Sequence, residues 1–177
     1  FDGVNDYVTI GDLDLPGSFT VSFWSTADNL GGGCHGSAVM KRNDYGFEVC
    51  DGKMLAQVGT GTGGFNTALA YQIPQSGVWN YYALTYDGTT ARFYVNGNLT
   101  ATTVKSHGNN NNPLLIGSWN TGSEFYDGLI DEVRIYTRTL SQSEIQSDMN
   151  SPVSAESEVP TPHIDDPIGG AQVSNII

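Results

Sequence analysis

Few side chains in this sequence could do chemistry, and most of them carry oxygen or an aromatic ring. Asp131 and Glu132 stand side by side in Gly128-Leu129-Ile130-Asp131-Glu132-Val133-Arg134-Ile135-Tyr136. From Val133 onward this segment alternates with the period of two of a half-buried strand. Aspartate is depleted in strands and expensive to bury alone. Asp131 therefore calls for backbone N–H groups, an arginine or a cation as its partner. Glu48 with Asp51 and Glu124 with Asp127 are the nearest acidic pairs, each three residues apart. Positions i and i+3 of a strand point to opposite faces, whereas glycoside hydrolysis needs two carboxyls facing one bond. The histidines, His35, His107 and His163, are scattered through loops and tail, with no Ser–His–Asp order, zinc spacing or phosphate loop around them. The residues therefore point to a chain that is not an enzyme.

Sugar recognition asks for something different. A sugar ring has apolar C–H faces and polar edges, so its site needs an aromatic surface with amides, charges or backbone groups beside it. Trp119 lies between Gly117-Ser118 and Asn120-Thr121-Gly122, a polar loop where no core position is expected, and Tyr126 could form a second wall. Tyr45 with Arg42, Asn43 and Asp44 at a hairpin tip, and His35 in a glycine-rich loop, are further rim candidates. Each competes with the plainer reading of a half-packed loop residue.

The elements that must position these residues are short strands. Glycine is abundant, with 22 residues, and only 15% of residues are charged, which suits many strands joined by tight turns. Asp51-Gly52, Asp87-Gly88 and Asn96-Gly97 are hairpin signals. Strands are expected at Tyr7–Ile10, Phe19–Thr26, on both sides of the Arg42-Asn43-Asp44 turn, at Met54–Gly59, Phe65–Ile73 and Leu114–Gly117. Leu30–Gly36 reads as a loop. Ser141 and Glu144 have capping-box spacing, so one short helix should follow, to about Met149. The pattern predicts two packed antiparallel sheets. Cys34 and Cys50 flank the Arg42–Asp44 hairpin nearly symmetrically. Composition favours a disulfide between them over two buried thiols, and with it a secreted or cell-surface setting. The net charge of −12 opposes nucleic acid and anionic membrane surfaces, and no run is long enough to span a membrane. The chain opens in what reads as a strand, as expected of a piece of a longer protein. Residues 1–150 read as one domain and 151–177 as a linker or tail, with Ala171–Ile177 a candidate added strand.

The Gly128–Tyr136 segment followed by Arg138-Thr139-Leu140-Ser141 resembles the C-terminal signature of laminin-G-like, concanavalin A-like domains. Phe1–Val8, Phe19–Trp24, Val78–Gly88 and Ala91–Gly97 resemble the family's earlier strands, in the family's order. The resemblance implies a jelly-roll β-sandwich, all-β apart from the short helix, with Trp24 and Trp79 in its core. It also implies a structural calcium held by Asp131, with backbone carbonyls and the side chains of Asp2 and Asp6 from the opening turn. The E-x-[DE]-x-x-E string of resembling hydrolases does not occur. The expected function is an extracellular, non-catalytic, lectin-like module that binds a polysaccharide or glycan. A structural or adhesion subunit of a filament or multidomain surface protein, packing against neighbouring domains or subunits through its loops or its tail, is the rival reading.

Overall fold

A computed structural model describes residues 1–15, 17–63 and 68–152, Ala68 by its backbone alone. The candidate tail strand lies outside the described residues. The strands in chain order are β1 (Val8–Gly11), β2 (Phe19–Ser25), β3 (Cys34–Lys41), β4 (Tyr45–Cys50), β5 (Lys53–Val58), β6 (Ala68–Gln72), β7 (Asn80–Tyr86), β8 (Thr90–Val95), β9 (Asn98–Val104), β10 (Leu114–Ile116), β11 (Ser118–Asn120), β12 (Ser123–Phe125) and β13 (Ile130–Tyr136), followed by α1 (Gln142–Met149). They form a six-stranded sheet ordered β1-β10-β3-β4-β5-β6, a five-stranded sheet ordered β13-β2-β7-β8-β9, and the β11–β12 hairpin, all antiparallel. The architecture is a two-sheet jelly-roll-like sandwich with one short helix.

Alternation decides what the sandwich encloses. Phe19, Val21 and Phe23 of β2 share the core with Tyr45, Phe47 and Val49 of β4, and with Tyr82, Leu84 and Tyr86 of β7. The Phe23 and Phe47 rings meet edge-to-face at 4.8 Å across the two sheets. The other face of the five-stranded sheet is also closed. Ser141 caps α1 with the reciprocal Glu144 bond. The helix then lays Ile145 and Met149 against Tyr81, Ala83, Tyr94, Trp24 and Tyr136. Asp148 accepts from the Tyr81 hydroxyl (2.8 Å), the Tyr136 hydroxyl (2.7 Å) and Arg134 Nη1 (2.7 Å), which latches the helix to that sheet. The outer surface of the six-stranded sheet is crossed by β11 and β12, which both pack on β3.

Two elements differ from the sequence reading. The Leu30–Gly36 loop ends early, because β3 begins at Cys34 and pairs it with Cys50. Gly36 is held under the Phe125–Tyr126 backbone at φ 102, where a Cβ would collide. Trp79, expected in the core, is 42% exposed, because it precedes β7 and stands at the rim of the sandwich. Among the described residues no helix is long and apolar enough to cross a membrane.

Candidate functional site

The opening turn meets the segment leading into the last strand, and not through Asp131. Asp2 forms a bridge with Asp127, the Gly3 N–H donates to the Tyr126 carbonyl (3.0 Å) and the Gly128 N–H donates to the Phe1 carbonyl (3.1 Å). Backbone pairing closes the two ends, and Gly128 permits it at φ 144, where a side chain would strike the Thr26 carbonyl. Asp131 lies farther along. It is exposed, and its Oδ1 accepts the neighbouring Glu132 N–H at 2.8 Å. The cause is a bulge between Asp131 and Arg134, with Glu132 at φ 55, which leaves Asp131 exposed before regular alternation resumes. Arg134 then bonds Glu132, and Val133 and Ile135 face the core.

Asp131, Asp2 and Asp6 therefore do not converge as a ligand set. Asp2 Oδ1 accepts the Val4 N–H at 2.9 Å and Asp6 is exposed. Among the described residues, the one group of three metal-type side chains within ligating distance is Cys34, Glu48 and Cys50. Its two sulfurs are bonded to each other. The carboxylate that faces the opening turn is Asp127, which stands just before the strand and in the sequence shows only as half of the Glu124–Asp127 pair. Asp2, Asp127 and Glu124, with Asn29, line a cleft of about 280 Å³ that also holds His35 and Cys34. These oxygen donors suit calcium in kind, with two acidic side chains at the bridge itself and backbone carbonyls beside them.

The sugar candidates separate into three groups. Tyr126 is fully buried, donating its hydroxyl to the Thr26 carbonyl (2.8 Å) and to Ser25 Oγ (3.2 Å), so it is a core post and not a wall. Tyr45 is equally buried and donates to the Leu13 carbonyl at 2.9 Å. Burial pushes both phenols well above their ordinary range. Tyr45 follows from the alternation of β4, whereas Tyr126 is buried from the segment between β12 and β13. His35 belongs to the acidic cleft, with its Nε2 3.0 Å from the Gly32 carbonyl. Asn43 shapes the turn at φ 65, and its carbonyl accepts the Gly61 N–H at 2.9 Å.

Trp119 and Arg42 come together. They line a second cleft of about 190 Å³ with Asn112, Pro113, Leu115, Asn120 and Thr121. β11 carries Trp119 over β3, and Met40 of β3 pairs with Leu115 of β10, whose side chain supplies the floor. The Asn110 and Asn112 side-chain amides donate to the Arg42 carbonyl (2.8 and 2.9 Å) and so fix the turn against the asparagine-rich loop. That loop was visible in the sequence as a run of four asparagines. Only the fold shows that it borders Trp119. The β11–β12 hairpin thus divides the outer face into an acidic cleft and an aromatic one. Beneath the hairpin Glu48 is buried. Burial raises its carboxyl, the Gln57 amide donating at 2.7 Å opposes that, and neighbouring Glu124 adds to it.

Two packed antiparallel sheets with one short helix are the architecture of concanavalin A-like domains. The chain belongs to the concanavalin A-like lectin/glucanases superfamily, whose family model matches residues 2–146. A comparison with curated proteins gives no match. Among solved structures, the receptor binding domain of botulinum neurotoxin D is similar at 11% identity with a TM-score of 0.65, over 84% of this chain and 42% of that one. The serotype D ligand binding domain in complex with N-acetylneuraminic acid is similar at 12% identity and TM-score 0.65, over 82% and 40%. Trypanosoma rangeli sialidase in complex with a difluoro-KDN compound is similar at 17% identity and TM-score 0.65, over 84% and 26%. This chain spans less than half the length of each, and at these identities the likeness shows the fold alone.

Proposed function

We propose that this chain is a non-catalytic, secreted or cell-surface carbohydrate-binding module whose sugar site is the Trp119 cleft. One observation carries the reading: Trp119 and Arg42, 77 residues apart in sequence, meet in one cleft with three amide or hydroxyl side chains. That is the apolar face plus polar edge a pyranose requires. At about 190 Å³ the cleft is smaller than the roughly 300–1,000 Å³ of pockets that enclose a ligand. It suits one ring of a longer glycan, with the remainder in solvent. The complex of the similar botulinum domain with N-acetylneuraminic acid supports a sugar ligand on this fold. Glycan-array screening followed by titration tests the proposal. Trp119→Ala should weaken the best ligand by about tenfold or more, the loss of one aromatic contact and the area it covers. A wild-type chain that binds no glycan, or a variant that binds as well, would refute it.

The structural calcium belongs to this reading at the bridge of Asp2 and Asp127, where it would pin the opening turn to the segment leading into β13. EDTA should then lower the melting temperature by several degrees, and added calcium should restore it, since a ligand bound only by the folded state stabilises it by mass action. An unchanged melting temperature would remove the metal from the proposal and leave the sugar site standing.

A further inference from the structure

The two clefts flanking the β11–β12 hairpin differ in charge, and that difference bears on the ligand. Resting on the carbohydrate reading above, we propose that the Trp119 cleft selects sugars bearing a carboxylate, with Arg42 as the specificity-determining residue.

The chain carries a net charge of −12, and its other arginines are already engaged. Arg92 pairs with Asp87, Arg134 with Glu132 and Asp148, and Arg138 with Glu144. Arg42 is exposed and has no ion pair among the described residues. Its backbone is nonetheless fixed. Two asparagine amides hold its carbonyl, and the turn behind it is closed by the Asp44 N–H donating to the Lys41 carbonyl at 3.0 Å. A cation on a fixed backbone gives up less freedom when it binds than one on a loose loop.

The neighbouring carboxylates do not cancel it. Asp12, Asp14 and Asp44 gather around the Lys41 ammonium at 2.5, 2.5 and 3.4 Å. Lys41 pairs in register with Leu114, a core residue, whereas Met40 pairs with Leu115, a cleft residue. Directly opposed residues of an antiparallel pair share a face, so Lys41 lies on the inner side of the sheet, where its ammonium engages these carboxylates, whereas Arg42 lines the outer cleft. Among the described residues the aromatic cleft is lined by no carboxylate, while the acidic cleft across the hairpin is lined by Asp2, Glu124 and Asp127. An anionic sugar is thus repelled from one cleft and met in the other by a planar guanidinium that can bond a carboxylate through two parallel N–H groups. The ring beside that carboxylate would lie on Trp119.

Matched pairs test this: methyl glucuronoside against methyl glucoside, and the methyl glycoside of N-acetylneuraminic acid against its carboxyl methyl ester. Each is titrated into wild type, Arg42→Gln and Trp119→Ala. For at least one pair, wild type should bind the acid about five- to tenfold tighter than its neutral partner, with the preference shrinking at 0.5 M salt. Arg42→Gln should bring that ratio to about one, and Trp119→Ala should weaken both members of the pair alike. Equal binding of acid and neutral sugar by wild type, or a preference that survives Arg42→Gln, would overturn the proposal while sparing the sugar site. Absence of binding to every member while other glycans on the array bind would overturn the acid preference alone; absence of binding to any glycan would bring down the carbohydrate reading as well.

Discussion

Lys41→Met is expected to destabilise the fold by about 2–4 kcal/mol, one of the largest effects available to a single substitution here. The ammonium is fully buried and holds Asp12, Asp14 and Asp44 together, and it also donates to the Asn110 carbonyl at 2.8 Å. Removing it leaves three negative charges facing one another with no cation among them. Asp12 and Asp14 are nearly half exposed and can rehydrate, which places the effect toward the lower part of the range for breaking a buried pair. Asp44 is fully buried and keeps only the bond to His107. Burial alone would lower the Lys41 pKa, but hydrogen bonds to Asp12 and Asp14 and the charge of Asp44 outweigh it and raise the pKa above 10.5. With the folded pKa above the unfolded one, the stabilisation is complete below pH 10.5 and fades only as pH climbs through the raised value. Urea unfolding at pH 7 should therefore show the full deficit, and the wild-type advantage should narrow in strong alkali. Asp12→Asn or Asp14→Asn should change stability by less than about 1 kcal/mol. A Lys41→Met protein as stable as wild type would mean that the cage contributes nothing.

That cage illustrates what the sequence could and could not reveal. Strand period, turn dipeptides and the Ser141–Glu144 box are local signals, and they marked most strands, three hairpins and the helix close to where they form. The convergence of Lys41, Asp12, Asp14 and His107 depends on strand order, which no local pattern encodes. Asp131 shows the same limit from the other side. Its neighbourhood alternates poorly at first and then cleanly, and that irregularity is the bulge itself, which turns the carboxylate outward. Tyr45 and Tyr126 looked like rim residues because polar neighbours surround them. Both rings lie in the core, Tyr45 through the alternation of β4 and Tyr126 from the segment between β12 and β13. Trp119 and Arg42 were legible as types of residue suited to sugars, but their meeting required the β11–β12 hairpin to fold across β3, a long-range contact. The acidic cleft escaped sequence reasoning because Asp127 precedes the final strand and Glu124 sits at positive φ in the hairpin, outside any strand-face pattern.

Loss of the Cys34–Cys50 disulfide should be the other large effect, and its consequences should stop short of the sugar cleft. The bond closes a loop with a sequence separation of 16, worth about 3 kcal/mol in the chain-entropy account. Two hydrogen bonds, Gly33 N–H to Asp51 Oδ1 (2.7 Å) and Asp51 N–H to the Gly33 carbonyl (2.9 Å), tie the same ends and soften the loss. The Cys34→Ala/Cys50→Ala double variant should therefore lose about 2–3 kcal/mol, lowering the melting temperature by roughly 4–12 °C for a chain of this size. Cys34 lines the acidic cleft with Asp2 and Asp127, whereas neither cysteine lines the Trp119 cleft. Sugar affinity measured well below the variant's melting temperature should stay within about twofold of wild type, as expected for sites that share no partners. Calcium stabilisation should not behave this way. The disulfide and the Asp2–Asp127 bridge border one cleft, so the effects of EDTA and of the double variant should be non-additive. An unchanged melting temperature would show that the hydrogen bonds alone hold the hairpin end. Collapse of sugar binding in a folded double variant would show that the two clefts are one coupled site.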